Sequence, residues 1–362
     1  MSLAWSRLEP LRPALDGADW DQYAEPPHHT GAKLAKRLTL QNERIALWGP
    51  AGSGKSTELR AAARFLQPSA LSVVIALDVE LDLRQGPQEW ELHRVIGWAI
   101  VTAASDAGLV LSPPLATRLQ QAGVIRHQGA RSPALASRDL TRELLVELGR
   151  RQPIVLLVDG LEKPTPAIAR ETLRQLGHPA PGVGVLVVLS PAQVTGPEAY
   201  EVLEDLGFRE TALRPVVVDP TFGDTATEGR KFLKTIALRR LGASLDDALE
   251  ALMDAAAVAS GGVPRTFLQL LRDAHTAAAL AGRKVPKDGD LAEAVGDHRS
   301  TLRRLLRDGD LEALEKGRGT SGIEVPVERR TRLLAHGLML EYDLPGASDP
   351  VVFPHPLLEM GG

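Results

Sequence analysis

The run Gly49-Pro50-Ala51-Gly52-Ser53-Gly54-Lys55-Ser56 carries the most specific chemistry in the chain. Glycines at 49, 52 and 54 let successive backbone N–H groups turn inward around an anion. A helix expected to follow adds its positive N-terminal end. Lys55 brings an ammonium to phosphate oxygens, Ser56 offers a hydroxyl to a divalent metal, and Thr57 follows in the same turn. The spacing fits G-x-x-x-x-G-K-[ST] at every position, the pattern that binds nucleoside triphosphate phosphates together with Mg²⁺. A glycine turn that merely precedes a helix is the other reading, and the elements around it decide between the two.

A second station lies about a hundred residues on. Ile154-Val155-Leu156-Leu157-Val158-Asp159 is an apolar run that delivers a carboxylate to its end, where Asp159 would hold Mg²⁺ through its water shell. The alternative is a buried strand that happens to end in a turn Asp. Together the two segments resemble the Walker A and Walker B motifs of P-loop NTPases of the ASCE type.

In most AAA+ members of that class the residue after the Walker B aspartate is the glutamate that activates water. Here the chain runs Asp159-Gly160-Leu161-Glu162-Lys163, which resembles the Asp-Gly-Leu-Asp/Glu signature of the STAND class of signal-transducing NTPases, its NACHT group included. The resemblance gives Glu162 the second acidic position, for water activation or metal contact; otherwise Glu162 is a solvated loop charge, and turnover is slow. Ser190, after a later apolar run, stands where these families place the polar sensor 1 residue, although a serine at the edge of the core explains it as well.

Ser260-Gly261-Gly262-Val263-Pro264-Arg265 resembles the start of the sensor 2 helix in origin-recognition-type AAA+ proteins and the Gly-x-Pro motif of STAND proteins. Gly ends one helix and Pro opens the next, so Arg265 projects from a fixed helix start toward the nucleotide phosphates, or is simply an exposed Arg at a junction. The tail 333–358 resembles the winged helix that closes such ATPases. His355 stands where the STAND class places a histidine on the bound diphosphate, but Pro356 follows it in place of Asp, and a packed histidine is the alternative.

The intervening segments must position these groups. Short apolar runs at 45–48, 71–79, 154–158, 183–189 and 213–218 predict five strands. They alternate with helices at 56–66, from 88 to about 107, from Ser137 to 151, and from the Thr165 N-cap to about 176. Alternation of this kind implies right-handed crossovers and a parallel sheet with helices on both faces. Ligands on such sheets sit beyond the carboxyl ends of the strands, where the glycine loop falls.

Residues 109–137, rich in Pro, Gly, Gln and Arg, read as an insertion with a short helix. From 225 the pattern is helical, with segments at 225–241, 244–259 and 264–280. Further helices and two extended pieces, 338–342 and 350–353, complete the chain. The expected domains are a leader (1–40), a P-loop NTPase domain (41–220), a helical lid (221–296) and a winged helix (297–362). The resemblance spans roughly 44–358.

Composition excludes several classes. There are no cysteines, so disulfides, thiolate zinc sites and thiol catalysis are ruled out. The formal net charge is −4, with 42 basic against 46 acidic residues and no basic stripe, which disfavours nucleic acid as the principal partner. Ala292, Gly296, Leu302 and Leu305 have the spacing of a DNA-reading helix-turn-helix, with Arg299, Arg303 and Arg304 for phosphates. Acidic residues surround them, so the stretch reads better as the last lid helix. No apolar run is long enough to span a bilayer, and no signal peptide is evident, so a cytoplasmic location without membrane contact is expected.

The resemblance implies ATP or ADP with Mg²⁺ as ligands, ATP over GTP because the guanine-reading Asn-Lys-x-Asp motif is absent. It implies an ATP-dependent switch acting on an effector or signalling protein, in bacterial signalling or defence, with homo-oligomerisation on ATP binding. The rivals are a DNA-acting AAA+ ATPase of the origin-recognition or transposition-regulator type and a non-hydrolysing scaffold. No motif marks an arginine finger; Arg209 and Arg214 are among the candidates.

Overall fold

The computed structural model describes residues 5–8, 17–67, 69–124, 138–242 and 247–359. The chain divides into two units. One comprises Thr30–Trp48 and Lys55–Ala212; the other comprises Met1–His29, Gly49–Gly54 and Leu213–Gly362.

The first unit is built on a five-stranded parallel sheet. In chain order its elements are α1 (Thr30–Leu40), β1 (Arg44–Trp48), α2 (Lys55–Leu66), β2 (Leu71–Ala76), α3 (Leu77–Glu80), α4 (Glu89–Asp106), α5 (Pro113–Gln121), α6 (Arg138–Gly149), β3 (Ile154–Asp159), α7 (Pro166–Leu176), β4 (Val183–Leu189), α8 (Pro191–Val194), α9 (Pro197–Asp205) and β5 (Phe208–Ala212). The strand order is β2-β3-β4-β1-β5. Every residue of β4 is buried, as a strand covered on both faces by crossover helices must be. Each buried Val or Leu there contributes about 1.5–3 kcal/mol.

Two strand expectations need correction. The fifth strand is not 213–218 but Phe208–Ala212, which pairs with β1 from Arg44↔Phe208 to Trp48↔Ala212. This edge strand reads Phe-Arg-Glu-Thr-Ala with two exposed residues, so it lacks the apolar signal of an inner strand. The apolar 213–218 stretch serves the other unit, where Val216 N–H bonds to the Gly262 carbonyl at 3.2 Å. The second strand stops at Ala76, and α3 follows it. Ile75 and Ala76 complete the register against Val158 and Asp159, leaving no paired partner to extend β2. The N-cap expected at Ser137 lies outside the described residues, as do residues 125–137 of the expected insertion; α5 is its short helix.

The second unit is helical: α10 (Gly223–Leu241), α11 (Asp247–Ala259), α12 (Pro264–Leu280), α13 (Asp288–Arg303), α14 (Asp310–Gly317) and α15 (Val327–Ala335). An antiparallel hairpin of β6 (Met339–Tyr342) and β7 (Val351–Pro354) follows, and then α16 (Pro356–Glu359). Met339 pairs with Pro354 and Tyr342 with Val351. Because α13 is one unbroken helix, positions 292, 296 and 302 share a single element. No turn separates them, and the helix-turn-helix spacing therefore does not form one.

Part of the expected leader is packed into the helical core. Trp5 and Leu8 are buried in the same core as Leu233, Phe267 and Leu271, and the Trp5 ring stacks on His275 with centroids 4.6 Å apart and planes 7° apart. Trp5→Ala is expected to destabilise the folded chain by about 3–5 kcal/mol, the usual cost of emptying a large aromatic site. Denaturant unfolding checks this; a change near zero would mean that the N-terminal segment does not contribute to the helical core.

Candidate nucleotide-phosphate site

In the sheet unit, β1 lies between β4 and β5, and the chain enters α2 at Lys55. Lys55 is 7% exposed. One turn later the buried Glu58 accepts the Gly31 backbone N–H at 2.8 Å, tying the start of α1 to α2. Ser56 Oγ donates to Asp159 Oδ1 at 3.0 Å, which brings together the two residues that the sequence assigned to the metal. The same carboxylate oxygen accepts the Gly160 N–H at 3.0 Å. Asp159 occupies the last paired position of β3, level with Ala76 of β2.

Among the described residues no group of three or more His, Asp or Glu could hold a metal ion by itself. A hydroxyl and a carboxylate at the carboxyl edge of a parallel sheet fit Mg²⁺, which binds through one or two protein oxygens and completes its octahedron with phosphate and water. Thr57 is half-buried in the first turn of α2.

Position 160 explains why no glutamate follows Asp159 directly. Gly160 has φ +95°, and a Cβ there would lie 2.5 Å from Asp78 Oδ1 and 2.7 Å from the Asp78 backbone nitrogen. Only glycine fits beside the start of α3. Asp78 is itself paired with Lys163, so the chain leaves β3 under a steric and an ionic restraint.

Glu162 is the next acidic residue after Asp159. Among the described residues its buried Oε2 has no hydrogen-bond partner. Burial first, and then the charge of Asp159, push its carboxyl above the ordinary range, against the pull of Lys55 and Lys163. It is therefore not a solvated loop charge. A carboxyl desolvated in this way holds its proton nearer to neutral pH, as a group that takes a proton from water requires.

Sequence reasoning missed Gln193. Its side chain is 2% exposed and donates to the carbonyls of Leu161 at 2.6 Å and Pro164 at 3.0 Å, while its carbonyl accepts the Ser190 N–H at 2.8 Å. Gln193 thereby ties the loop that carries Glu162 to the end of β4. The signal was present in Ser190-Pro191-Ala192-Gln193, a helix start with capping-box spacing. Ser190 is the N-cap of α8.

In the helical unit, the loop Gly49–Gly54 turns through a Ser53 N–H bond to the Pro50 carbonyl at 3.3 Å. Gly52 and Gly54 have φ of +86° and +98°, a region open to glycine at little cost. Ala51 is exposed, and Ser53 is buried with no hydrogen-bond partner for its hydroxyl among the described residues. The start of α12 sits directly on this loop: the Arg265 N–H donates to the Gly52 carbonyl at 3.3 Å, and a Cβ on Gly52 would lie 2.6 Å from Arg265 Cβ. Arg265 itself is exposed. Pro264, at the first helical position, fixes this start.

His355 lines a cavity of about 250 Å³ together with Pro50, Ala51 and His298. Its ring is engaged on both sides: Nδ1 accepts the Leu357 N–H at 3.1 Å, and the ring also bonds the Ser260 backbone. A phosphate contact would have to displace one of these. Burial, and then His298, push its pKa down to about 4. Of the arginine-finger candidates, Arg214 is held by Glu341 at 2.8 Å and Asp343 at 3.0 Å, whereas Arg209 is exposed on the edge strand β5.

The lowered pKa of His355 makes a pH prediction. The unfolded chain binds this proton near pH 6.5 and the folded chain only near 4. Its contribution to stability is therefore full above about pH 6.5 and is lost as pH falls toward 4. Urea unfolding of wild type and His355→Asn at several pH values is expected to give a smaller acid-side loss for the variant. Equal slopes would mean that His355 is not neutral and buried in the folded state.

No known family profile matches the chain. The Escherichia coli thiamine import ATP-binding protein ThiQ is 31% identical over 160 residues, 40% of this chain and 68% of that protein. Among solved structures, the Walker-type ATPase PABY2304 of Pyrococcus abyssi matches with a TM-score of 0.50 at 16% identity, covering 97% of this chain and 98% of that one. The Aeropyrum pernix ORC2 protein matches with a TM-score of 0.47 at 15% identity, covering 98% and 95%. Among the described residues no helix is long and apolar enough to cross a membrane. Its glycine loop, the Ser56–Asp159 pair, the parallel sheet and its likeness to an ATP-binding relative lead to one conclusion: the chain belongs to the P-loop ATPases.

Proposed function

We propose that this protein is an ATP-dependent switch of the STAND/AAA+ type, which binds and slowly hydrolyses ATP with Mg²⁺ and transmits its nucleotide state to a partner protein. The observation that carries this reading is the Ser56–Asp159 hydrogen bond, with the buried Oε2 of Glu162, unpartnered among the described residues, three residues beyond. It is supported by the ATP-binding relative and by the Gly160 conformation, which excludes the glutamate of the commoner AAA+ arrangement.

The roles follow from position. Lys55 and the N-terminus of α2 bind phosphate charge, Ser56 and Asp159 would hold Mg²⁺, and Glu162 takes a proton from the attacking water. Mg²⁺, when bound, neutralises charge on the phosphates and orients them. Gln193 keeps Glu162 placed, and Arg265, at the helix start docked on the loop, adds positive charge. Positioning and charge do most of the work in phosphoryl transfer. Because the N–H of Arg265 is bonded to the loop, a change in loop conformation is passed to α12. Beyond α13, the last lid helix, α14, α15 and the β6–β7 hairpin follow in the order helix, helix, hairpin and form, as a winged helix, the output element in this reading. Bacterial signalling or defence is the biological setting that the STAND resemblance suggests.

The test is ATP hydrolysis and ATP binding by the purified chain, with and without double-stranded DNA. Lys55→Ala is expected to abolish measurable ATP binding. Glu162→Gln is expected to retain binding and lower turnover about 10²- to 10⁴-fold, the usual share of general-base catalysis. Undiminished affinity in Lys55→Ala would sink the reading. Turnover stimulated by DNA would replace it with the DNA-acting alternative of the origin-recognition type.

A further inference from the structure

Three of the chain's aromatic side chains meet where no nucleotide chemistry needs them. The chain has three tyrosines and six phenylalanines, and Phe222, Tyr342 and Phe353 line one cavity of about 360 Å³ in the helical unit. Phe353 meets the others edge-on, with centroids 6.2 Å from Phe222 at 72° and 6.1 Å from Tyr342 at 64°. None of the three stacks face to face on another. Phe222 and Phe353 remain half-buried in a chain whose other core residues are largely aliphatic.

The charges on the same lining do not balance. Arg318 is paired both with Glu359 and with Glu315. Asp219 accepts only from Thr221, from its N–H at 2.9 Å and its hydroxyl at 2.8 Å; among the described residues no Lys or Arg is paired with it. The cavity therefore combines aromatic walls with an exposed carboxylate that, among the described residues, has no cation. Its volume is that of a small-molecule site. Aromatic rings attract a cation through the ring quadrupole, and a nearby carboxylate adds charge attraction.

We propose that this cavity is a second ligand site, for a small organic cation with an apolar body, an aryl- or alkylammonium. None of its lining residues belongs to the phosphate loop. It is nevertheless joined to the turn before Arg265, because the Tyr342 hydroxyl donates to the Gly261 carbonyl at 2.7 Å.

Calorimetric titration of the full chain with phenethylammonium and with the uncharged 3-phenyl-1-propanol tests this. Saturable one-site binding of the ammonium is expected, with the alcohol about tenfold weaker or more, the cation's share of such a contact. Asp219→Asn keeps an acceptor for the Thr221 N–H, and so the local turn, and is expected to weaken the ammonium about tenfold while leaving the alcohol unchanged. Phe353→Leu, with an unaltered circular-dichroism spectrum, is expected to weaken both probes. Lys55→Ala is expected to change neither, which separates this site from the nucleotide site. The proposal is overturned by equal affinity for the two probes, by no saturable binding of the ammonium up to millimolar concentration, or by full affinity in Asp219→Asn.

Discussion

Parallel strand register is the constraint on which the sheet unit depends. β2, β3 and β4 run side by side, so the residues that end them arrive on one edge whatever their distance along the chain. Asp159 reaches that edge at the end of β3, and the hydroxyl of Ser56, 103 residues away in sequence, meets it there at 3.0 Å. A register shift of one residue would turn Asp159 to the other face of the sheet and break this pair. The wholly buried β4 makes such a shift costly, since every side chain on it would change surroundings.

Around that pair the chain trades conformational freedom for placement. Gly160 accepts a backbone conformation unsuited to other residues because Asp78 occupies the space of a side chain. The next acidic residue is then Glu162, two positions on, in a loop that needs separate support. Gln193 provides it through two carbonyls of the same loop and the N–H that follows β4. A buried amide with three bonds is a rigid tether, because leaving any of those groups unpaired would cost the desolvation of a polar atom.

The helical unit follows the same logic with different groups. Its turn before α12 is fixed by close backbone approach: a Cβ on Gly262 would fall 1.8 Å from the Val216 carbonyl oxygen. This places the start of α12 where the Arg265 N–H meets the Gly52 carbonyl. The hairpin is fixed to the same turn through Tyr342, and to Arg214 and Arg330 through the buried Glu341. A buried carboxylate between two guanidiniums is strongly destabilising to break, because either partner alone would be left uncompensated.

The glycine loop, the carboxylate that ends an apolar strand and four of the five strands were legible in the sequence, since these rest on local rules: glycine spacing, apolar run length and the Pro that opens a helix. So were α12 and the Pro264-Arg265 start. Tertiary structure alone decided the rest. The edge strand Phe208–Ala212 was hidden because an edge needs few apolar residues, while the apolar stretch from 213 belongs to a different core. Whether Glu162 faced water or the interior was undecidable from a loop sequence, because burial is a property of what folds over it. The same holds for His355, whose ring nitrogens are taken by backbone groups of Leu357 and Ser260. Spacing along a chain reports which groups are available; only packing reports which of them remain unsatisfied, and chemistry needs the second.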